Sequence, residues 1–152
     1  MKPLVILFFV LTCISCATIK PVGLQALTYK DKNGQSLQYN IYYPDEYKAS
    51  DAKIPLLIWL HGAGERGDDN VSQLIHITPY LASDIVQSKY PSIILAPQCP
   101  TDEYWAPVKR FEWSIINGGD VTPPLQKVIS LVEKLLKDPK VDKNRVYIGG
   151  LS

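Results

Sequence analysis

A chain of 152 residues, 46% hydrophobic and 20% charged, has the length and composition of one globular domain with its own core, and nothing in its composition marks a second. Its 16 basic and 15 acidic side chains are interspersed and leave a net charge of +1, so there is no basic stripe for nucleic acid and no acidic tail. Nucleic-acid binding is set aside on that ground, and twelve prolines with nine glycines point to many short elements rather than a long helical bundle.

Met1-Lys2-Pro3 is a short positive segment, Leu4 to Leu11 is an almost unbroken apolar run, and Thr12-Cys13-Ile14-Ser15-Cys16-Ala17 follows. Residues 1–16 therefore have the form of a secretory signal peptide. The apolar part is too short to span roughly 30 Å of hydrocarbon as a helix. Cys16, between Ser15 and Ala17, resembles the cleavage and lipidation site of bacterial lipoproteins, although Cys13 stands where such sites carry leucine. The expected location is outside the cytoplasm: periplasmic or anchored at the outer membrane through lipid on Cys16, otherwise secreted. Residues 17–23 then form a tether. Cys99 is the only other cysteine of such a mature chain, so no disulfide closes within one molecule, and a small buried hydrophobe is its simplest role.

From residue 24 a folded domain is expected. Leu24–Tyr29 and Leu37–Tyr43 flank Lys30-Asp31-Lys32-Asn33-Gly34 and read as a hairpin. In its second strand Leu37, Tyr39, Ile41 and Tyr43 give an apolar face, with Gln38, Asn40 and Tyr42 on a wetter one. Tyr47–Lys53 reads as a polar loop. Ile54–Leu60 is apolar throughout and short, as a strand buried on both faces is. A glycine-rich loop, residues 61–70, follows it. Pro79–Ser88 reads as one short helix, Ser92–Ala96 as a second buried strand, and Gln98–Val121 as an irregular loop rich in aromatic residues. Thr122-Pro123-Pro124 opens the strongest helix, which runs to about Lys137 with Leu125, Val128, Ile129, Val132, Leu135 and Leu136 on its apolar face. Val141–Arg145 turns the chain into a last strand, Arg145–Ile148. The alternation of strands and helices argues for an α/β sheet with an antiparallel edge.

Gly62-Ala63-Gly64-Glu65-Arg66-Gly67 matches the dinucleotide fingerprint Gly-x-Gly-x-x-Gly after a strand. Glu65, Asp68 and Asp69, however, put negative charge where a pyrophosphate would lie, and the next strand lacks the acidic residue that would bind ribose. A nicotinamide cofactor is not expected. The same loop suits acyl transfer, in which backbone N–H groups stabilise the negative charge that builds on a carbonyl oxygen. Gly150-Leu151-Ser152 supplies the other part, the first half of a Gly-x-Ser-x-Gly nucleophile turn after a strand. His61 is expected to hold its loop by hydrogen bonds, His76 to be partly buried or at the surface, and Glu65 and Arg66 to order the loop. Trp105, Phe111 and Trp113 are candidates to wall a cleft, or to pack locally. No cluster of His, Cys and acidic residues has metal-ligand spacing, so neither metal nor cofactor is expected.

Leu60 to Gly67, Ala96 to Pro100 and Asp142 to Ser152 together resemble the α/β-hydrolase esterases known as predicted peptidases or phospholipase/carboxylesterases, relatives of the feruloyl and polyhydroxyalkanoate esterases. The resemblance covers residues 24–152. It implies the N-terminal part of an α/β-hydrolase sheet: an antiparallel hairpin, then parallel strands with helices on both faces, up to the nucleophile strand. It implies Ser152 as nucleophile and the backbone around Ala63, between Gly62 and Gly64, as one oxyanion donor. The second donor, the triad acid and the histidine follow the serine in this fold and so fall outside these residues. The expected function is that of an exported serine hydrolase cleaving a small-molecule or polysaccharide-linked ester through an acyl-enzyme. The 152 residues alone are expected to be inactive and poorly stable. An exported serine peptidase with the same machinery and a non-catalytic ligand-binding lipoprotein are the alternatives.

Overall fold

The computed structural model describes residues 23–109, 112 and 114–151. The signal-like segment with Cys16, the residues Arg110, Phe111 and Trp113, and Ser152 lie outside the described residues.

The hairpin pairs β1 (Gln25–Lys30) with β2 (Ser36–Tyr42) in antiparallel register, Gln25 opposite Ile41 and Lys30 opposite Ser36. Its turn is built by the Asp31 carboxylate, which accepts the N–H groups of Asn33 and Gln35 at 2.8 Å, and by Gly34 at φ +80°. A left-handed residue is needed there, and glycine carries no Cβ penalty. Next come α1 (Asp45–Ala49), β3 (Ile54–Leu60), two short helices α2 (Thr78–Leu81) and α3 (Asp84–Gln87), and β4 (Ile93–Pro97). A two-stranded ribbon, β5 (Val108–Lys109) with β6 (Ser114–Ile115), precedes α4 (Pro123–Leu135) and β7 (Val141–Gly150). The main sheet has the order β1-β2-β4-β3-β7. β2 runs antiparallel to β4, whereas β4, β3 and β7 are mutually parallel neighbours. This is the sheet that the sequence predicts for the N-terminal part of an α/β-hydrolase.

One face of the sheet is covered by α4. Val128 and Leu131 of the helix pack with Leu37 and Ile41 of β2, Leu56 and Ile58 of β3, and Ile93 and Leu95 of β4. All eight are nearly inaccessible. At about 1.5–3 kcal/mol for each fully buried aliphatic side chain, this cluster supplies most of the drive to fold. On the opposite face Leu57 and Ile94 line a groove with Leu81 of α2 and Val86 of α3. α1 and the loop after α4 are tied together, because Tyr47 donates its hydroxyl to Asp138 and Lys140 Nζ donates to the Tyr47 carbonyl at 2.8 Å. The Asp138 hydrogen bond, more than burial, pushes Tyr47 up to about 12.

Several elements differ from the sequence expectation. Residues 79–88 form two helical turns rather than one helix, since Ser83 is extended (φ −79°, ψ 157°) and its hydroxyl bonds to the Tyr80 carbonyl at 2.6 Å. The loop of residues 47–53 begins inside α1, and the stretch after Gln98, read as irregular, contains the ribbon β5–β6. Asn40, expected on the wetter face, is buried and donates to both the carbonyl and the side-chain oxygen of Asn70 at 2.9 Å. Residues 141–145 fall within the span of β7, but of these only Val141 has a partner on β3, and the turn survives as a bulge: the register jumps from Ile54 opposite Val141 to Leu56 opposite Val146. Pro55 stands at the jump on β3, where its missing N–H cannot continue the ladder. Asp142 closes the bulge by accepting from Asn144 N–H and Arg145 Nε.

Leu56 has no accessible surface and lies at the centre of the covered face. Leu56→Ala is expected to destabilise the full-length protein by about 2–5 kcal/mol in urea-induced unfolding, a cost set by the cavity it leaves.

Candidate active site

The ends of β3 and β7 meet at the carboxyl edge of the sheet. Trp59 is opposite Gly149 and Leu60 opposite Gly150, and the Leu151 N–H donates to the Leu60 carbonyl at 3.0 Å. Both glycines stand where a side chain would be crowded. A Cβ on Gly149 would stand 2.7 Å from the Trp59 ring, and one on Gly150 would stand 2.7 Å from the Leu60 carbonyl oxygen. A ring can swing aside, but a backbone carbonyl inside a ladder cannot. The chain therefore leaves β7 pressed against the start of the loop that follows β3, and Ser152 is the residue after this approach.

That loop begins with His61, which is 2% exposed. Its Nδ1 lies 2.7 Å from the Gly62 carbonyl and its Nε2 is 2.9 Å from the Cys99 N–H. A carbonyl needs a donor and an amide needs an acceptor, so the ring is the neutral tautomer with its proton on Nδ1. Burial lowers the His61 pKa from its ordinary value, against the opposing pull of the Gly62 carbonyl. The Trp105 indole N–H donates to the His61 carbonyl at 3.0 Å, and the two rings meet edge to face. The expected loop-holding role of His61 matches this geometry. With both nitrogens engaged, it has no lone pair left to serve as a general base.

Ala63–Glu65 form a single 3₁₀ turn after the extended Gly62. The Gly62 carbonyl accepts from Glu65 N–H at 3.3 Å as well as from His61. The Ala63 carbonyl accepts from Arg66 Nε at 2.8 Å. Among the described residues, neither the Ala63 N–H nor the Gly64 N–H has an acceptor, and Gly64 borders open space. Arg66 continues across to the segment after β4, donating Nη1 to the Glu103 carbonyl at 3.3 Å and lying 4.2 Å above the Tyr104 ring. Gly67 N–H bonds to the Cys99 carbonyl at 2.9 Å. Residues 61–67 and 99–105 are thus joined along their length.

Beyond Gly67 a polar network ties the loop down. Gln98, 1% exposed, donates Nε2 to Asp69 at 2.7 Å and accepts the Asn70 N–H at 2.7 Å. Asn70 adopts φ +53°, and its amide reaches the carbonyls of Leu27 and Tyr39. The Ser72 hydroxyl and N–H hold Asp69 well below the usual carboxylate range. Cys99 is fully buried, and burial pushes its thiol up to about 12, so it packs rather than reacts. His76 is half exposed and pairs with Glu65 at 3.1 Å. Arg66, Gln98 and Asn70 are the site-ordering residues whose partners sequence patterns do not reveal.

Among the described residues no group of His, Cys, Asp and Glu could hold a metal ion, and no helix is long and apolar enough to cross a membrane.

Sheet order, the loop after β3 and the glycine pair that ends β7 together define an α/β-hydrolase fold in its N-terminal part. Among solved structures the chain is similar to a thermostable esterase, 36% identical over 85% of this chain and 34% of that one, with a TM-score of 0.74. A ferulic acid esterase shares the fold at 17% identity and a TM-score of 0.57, over 85% of this chain and 50% of the other. So does poly(aspartic acid) hydrolase-1 from Sphingomonas sp. KT-1, at 19% identity and a TM-score of 0.52, over 86% and 47%. The chain spans between about a third and a half of the length of these proteins. No protein-family model and no curated protein matches it.

His61 is protonated more readily in the unfolded chain than in the fold, so its contribution to stability is complete above about pH 6.5 and declines as pH falls below that value. Stability of the full-length protein, followed by urea midpoints from pH 7.5 to 5, should drop on acidification. His61→Gln should cost about 1–2 kcal/mol at pH 7.5 and flatten this part of the profile. An unchanged slope would show that other groups carry the pH dependence.

Proposed function

We propose that these residues are the N-terminal part of an exported serine hydrolase that cleaves carboxylic esters through an acyl-enzyme. Ser152 is the nucleophile, and the backbone N–H groups of the Gly62-Ala63-Gly64 loop are oxyanion donors. The observation that carries this reading is the Leu151 N–H donating to the Leu60 carbonyl, because it sets the start of the serine turn against the start of the glycine loop. Negative charge building on the oxygen of an attacked ester carbonyl is what such N–H groups stabilise. The 36% identity to a thermostable esterase supports the same reading.

A serine hydroxyl needs a base and an orienting carboxylate to become a nucleophile. In this fold both follow the serine, as does the second oxyanion donor, the N–H of the next residue. His61 is already spent on Gly62 and Cys99. The base and acid therefore come from residues beyond these 152, and the substrate is a small-molecule or polysaccharide-linked ester. Export rests on the form of residues 1–16, and a lipid on Cys16 would be the only contact with a membrane.

Full-length protein is expected to hydrolyse p-nitrophenyl acetate and butyrate, and Ser152→Ala to reduce turnover by about 10⁴-fold. Ester turnover that survives Ser152→Ala would sink the assignment. Cleavage of peptide p-nitroanilides in place of esters would make the enzyme a peptidase. For the anchor, metabolic labelling with palmitate should mark the wild type and leave Cys16→Ser unlabelled and in the soluble fraction; equal labelling of both would remove Cys16 from that role.

A further inference from the structure

In a trans peptide unit the C=O and N–H point in opposite directions, so whatever grips the carbonyl also aims the amide. Two consecutive units of the glycine loop are gripped in this way. The unit joining Gly62 to Ala63 has its carbonyl on His61 Nδ1–H, which turns the Ala63 N–H away from the imidazole. The unit joining Ala63 to Gly64 has its carbonyl on Arg66 Nε, which turns the Gly64 N–H away from the guanidinium, and a side chain at Gly64 would meet nothing within 4 Å. Glycine and alanine impose little of their own on such a loop, and a single 3₁₀ turn does not fix it. The orientation of the second unit depends on a side chain that is itself anchored elsewhere.

Arg66 is anchored three ways. Its Nε bonds to Ala63, its Nη1 to the Glu103 carbonyl, and its guanidinium plane lies on Tyr104. The planar fork can serve two carbonyls and a ring at once, whereas an ammonium is a single point of charge. The residues it spans belong to the loops after β3 and after β4, so it links the donor loop to a part of the fold that does not carry the nucleophile.

We infer that Arg66 is a positioning residue for the oxyanion hole: by holding the Ala63 carbonyl it aims the Gly64 N–H, alongside the His61-aimed Ala63 N–H, at the oxygen of the attacked ester. This rests on the serine-hydrolase reading above. Arg66 touches neither substrate nor reacting atoms. Its effect falls on the transition state, where the oxygen is charged, and not on ground-state binding.

The test uses full-length protein and the p-nitrophenyl acetate turnover that Ser152→Ala abolishes; absence of any such turnover would defeat the hydrolase reading and not the positioning role. Removing a whole oxyanion donor costs about 10²–10³ in kcat, so a misaimed one should cost about 10–100-fold. Arg66→Met is expected to lower kcat by that factor with KM within about threefold. Its rate of inactivation by a p-nitrophenyl phosphonate, whose phosphoryl oxygen occupies the same hole, should fall in parallel. Arg66→Lys, which keeps the charge and the contact with Tyr104 but not the fork, should restore only a small part of the rate. Unchanged kcat in either folded variant would overturn the inference. So would full rescue by lysine, which would reduce the role to charge, or a loss that appears in KM alone. Failure of both variants to fold would make Arg66 a structural residue and equally overturn it.

Discussion

The Leu60 carbonyl is the point on which the carboxyl edge of the sheet depends. It accepts the Leu151 N–H, and a Cβ on Gly150 would come within 2.7 Å of its oxygen. Only glycine allows β7 to approach this closely, and the approach decides where the chain emerges toward Ser152. Gly149, beneath the Trp59 ring, extends the same constraint one residue back. Two small residues thus do what a binding pocket usually needs several large ones to do: they bring two segments ninety residues apart in sequence to a common position. The sheet makes that position stable, because β3 is held on both sides by parallel partners and its inner residues are sealed under α4.

A loop made of glycine and alanine can approach a substrate closely, but its own backbone is soft. Stabilising charge in a transition state requires donors that are already oriented, since reorientation during the reaction would consume the gain. In this chain the loop is held by side chains from outside its glycine-alanine run. His61 and Arg66 each hold a carbonyl, Trp105 holds the His61 carbonyl, and Gln98, Asp69 and Asn70 fix the loop's far end. Each such bond contributes only about 1 kcal/mol net, but a buried partner left unpaired costs about 1–3. The network is therefore more effective at excluding other loop conformations than at adding stability. His61 fits this role only while neutral, because a second ring proton would face the Cys99 N–H.

What was legible in the sequence follows from how local each signal is. Ile54–Leu60 was readable in full, because a buried parallel strand is a continuous apolar run. The helix opened by Thr122-Pro123-Pro124 was readable because its cap and its apolar spacing are both encoded within fifteen residues, and it ends two residues earlier than the pattern suggests. The helix expected over residues 79–88 broke because Ser83 offered the backbone an alternative bond, which apolar spacing does not record. The ribbon strands are two residues each, shorter than any alternation can be counted. Asn40 shows the general difficulty: period two put it on a wet face, but Asn70, thirty residues on, buries it. The glycine loop and the Gly-x-Ser half-motif were visible as local patterns. The long-range partners of Arg66, Gln98 and Asn70 lie 28 to 43 residues away and have no local signature.

Strand order explains why the clamp takes the form it does. β3 lies between β4 and β7, with all three parallel, so the segments leaving their carboxyl ends emerge side by side. This is where open α/β sheets bind their ligands. The middle segment is the glycine loop, in which the Ala63 and Gly64 N–H groups have no acceptor among the described residues. Its neighbour after β4, residues 98–105, grips it through Cys99, Glu103, Tyr104 and Trp105. Its neighbour on the other side is the end of β7, where the Leu151 N–H reaches the Leu60 carbonyl. The contacts that hold the loop come from the β4 flank, and β7 lies on the opposite flank of β3.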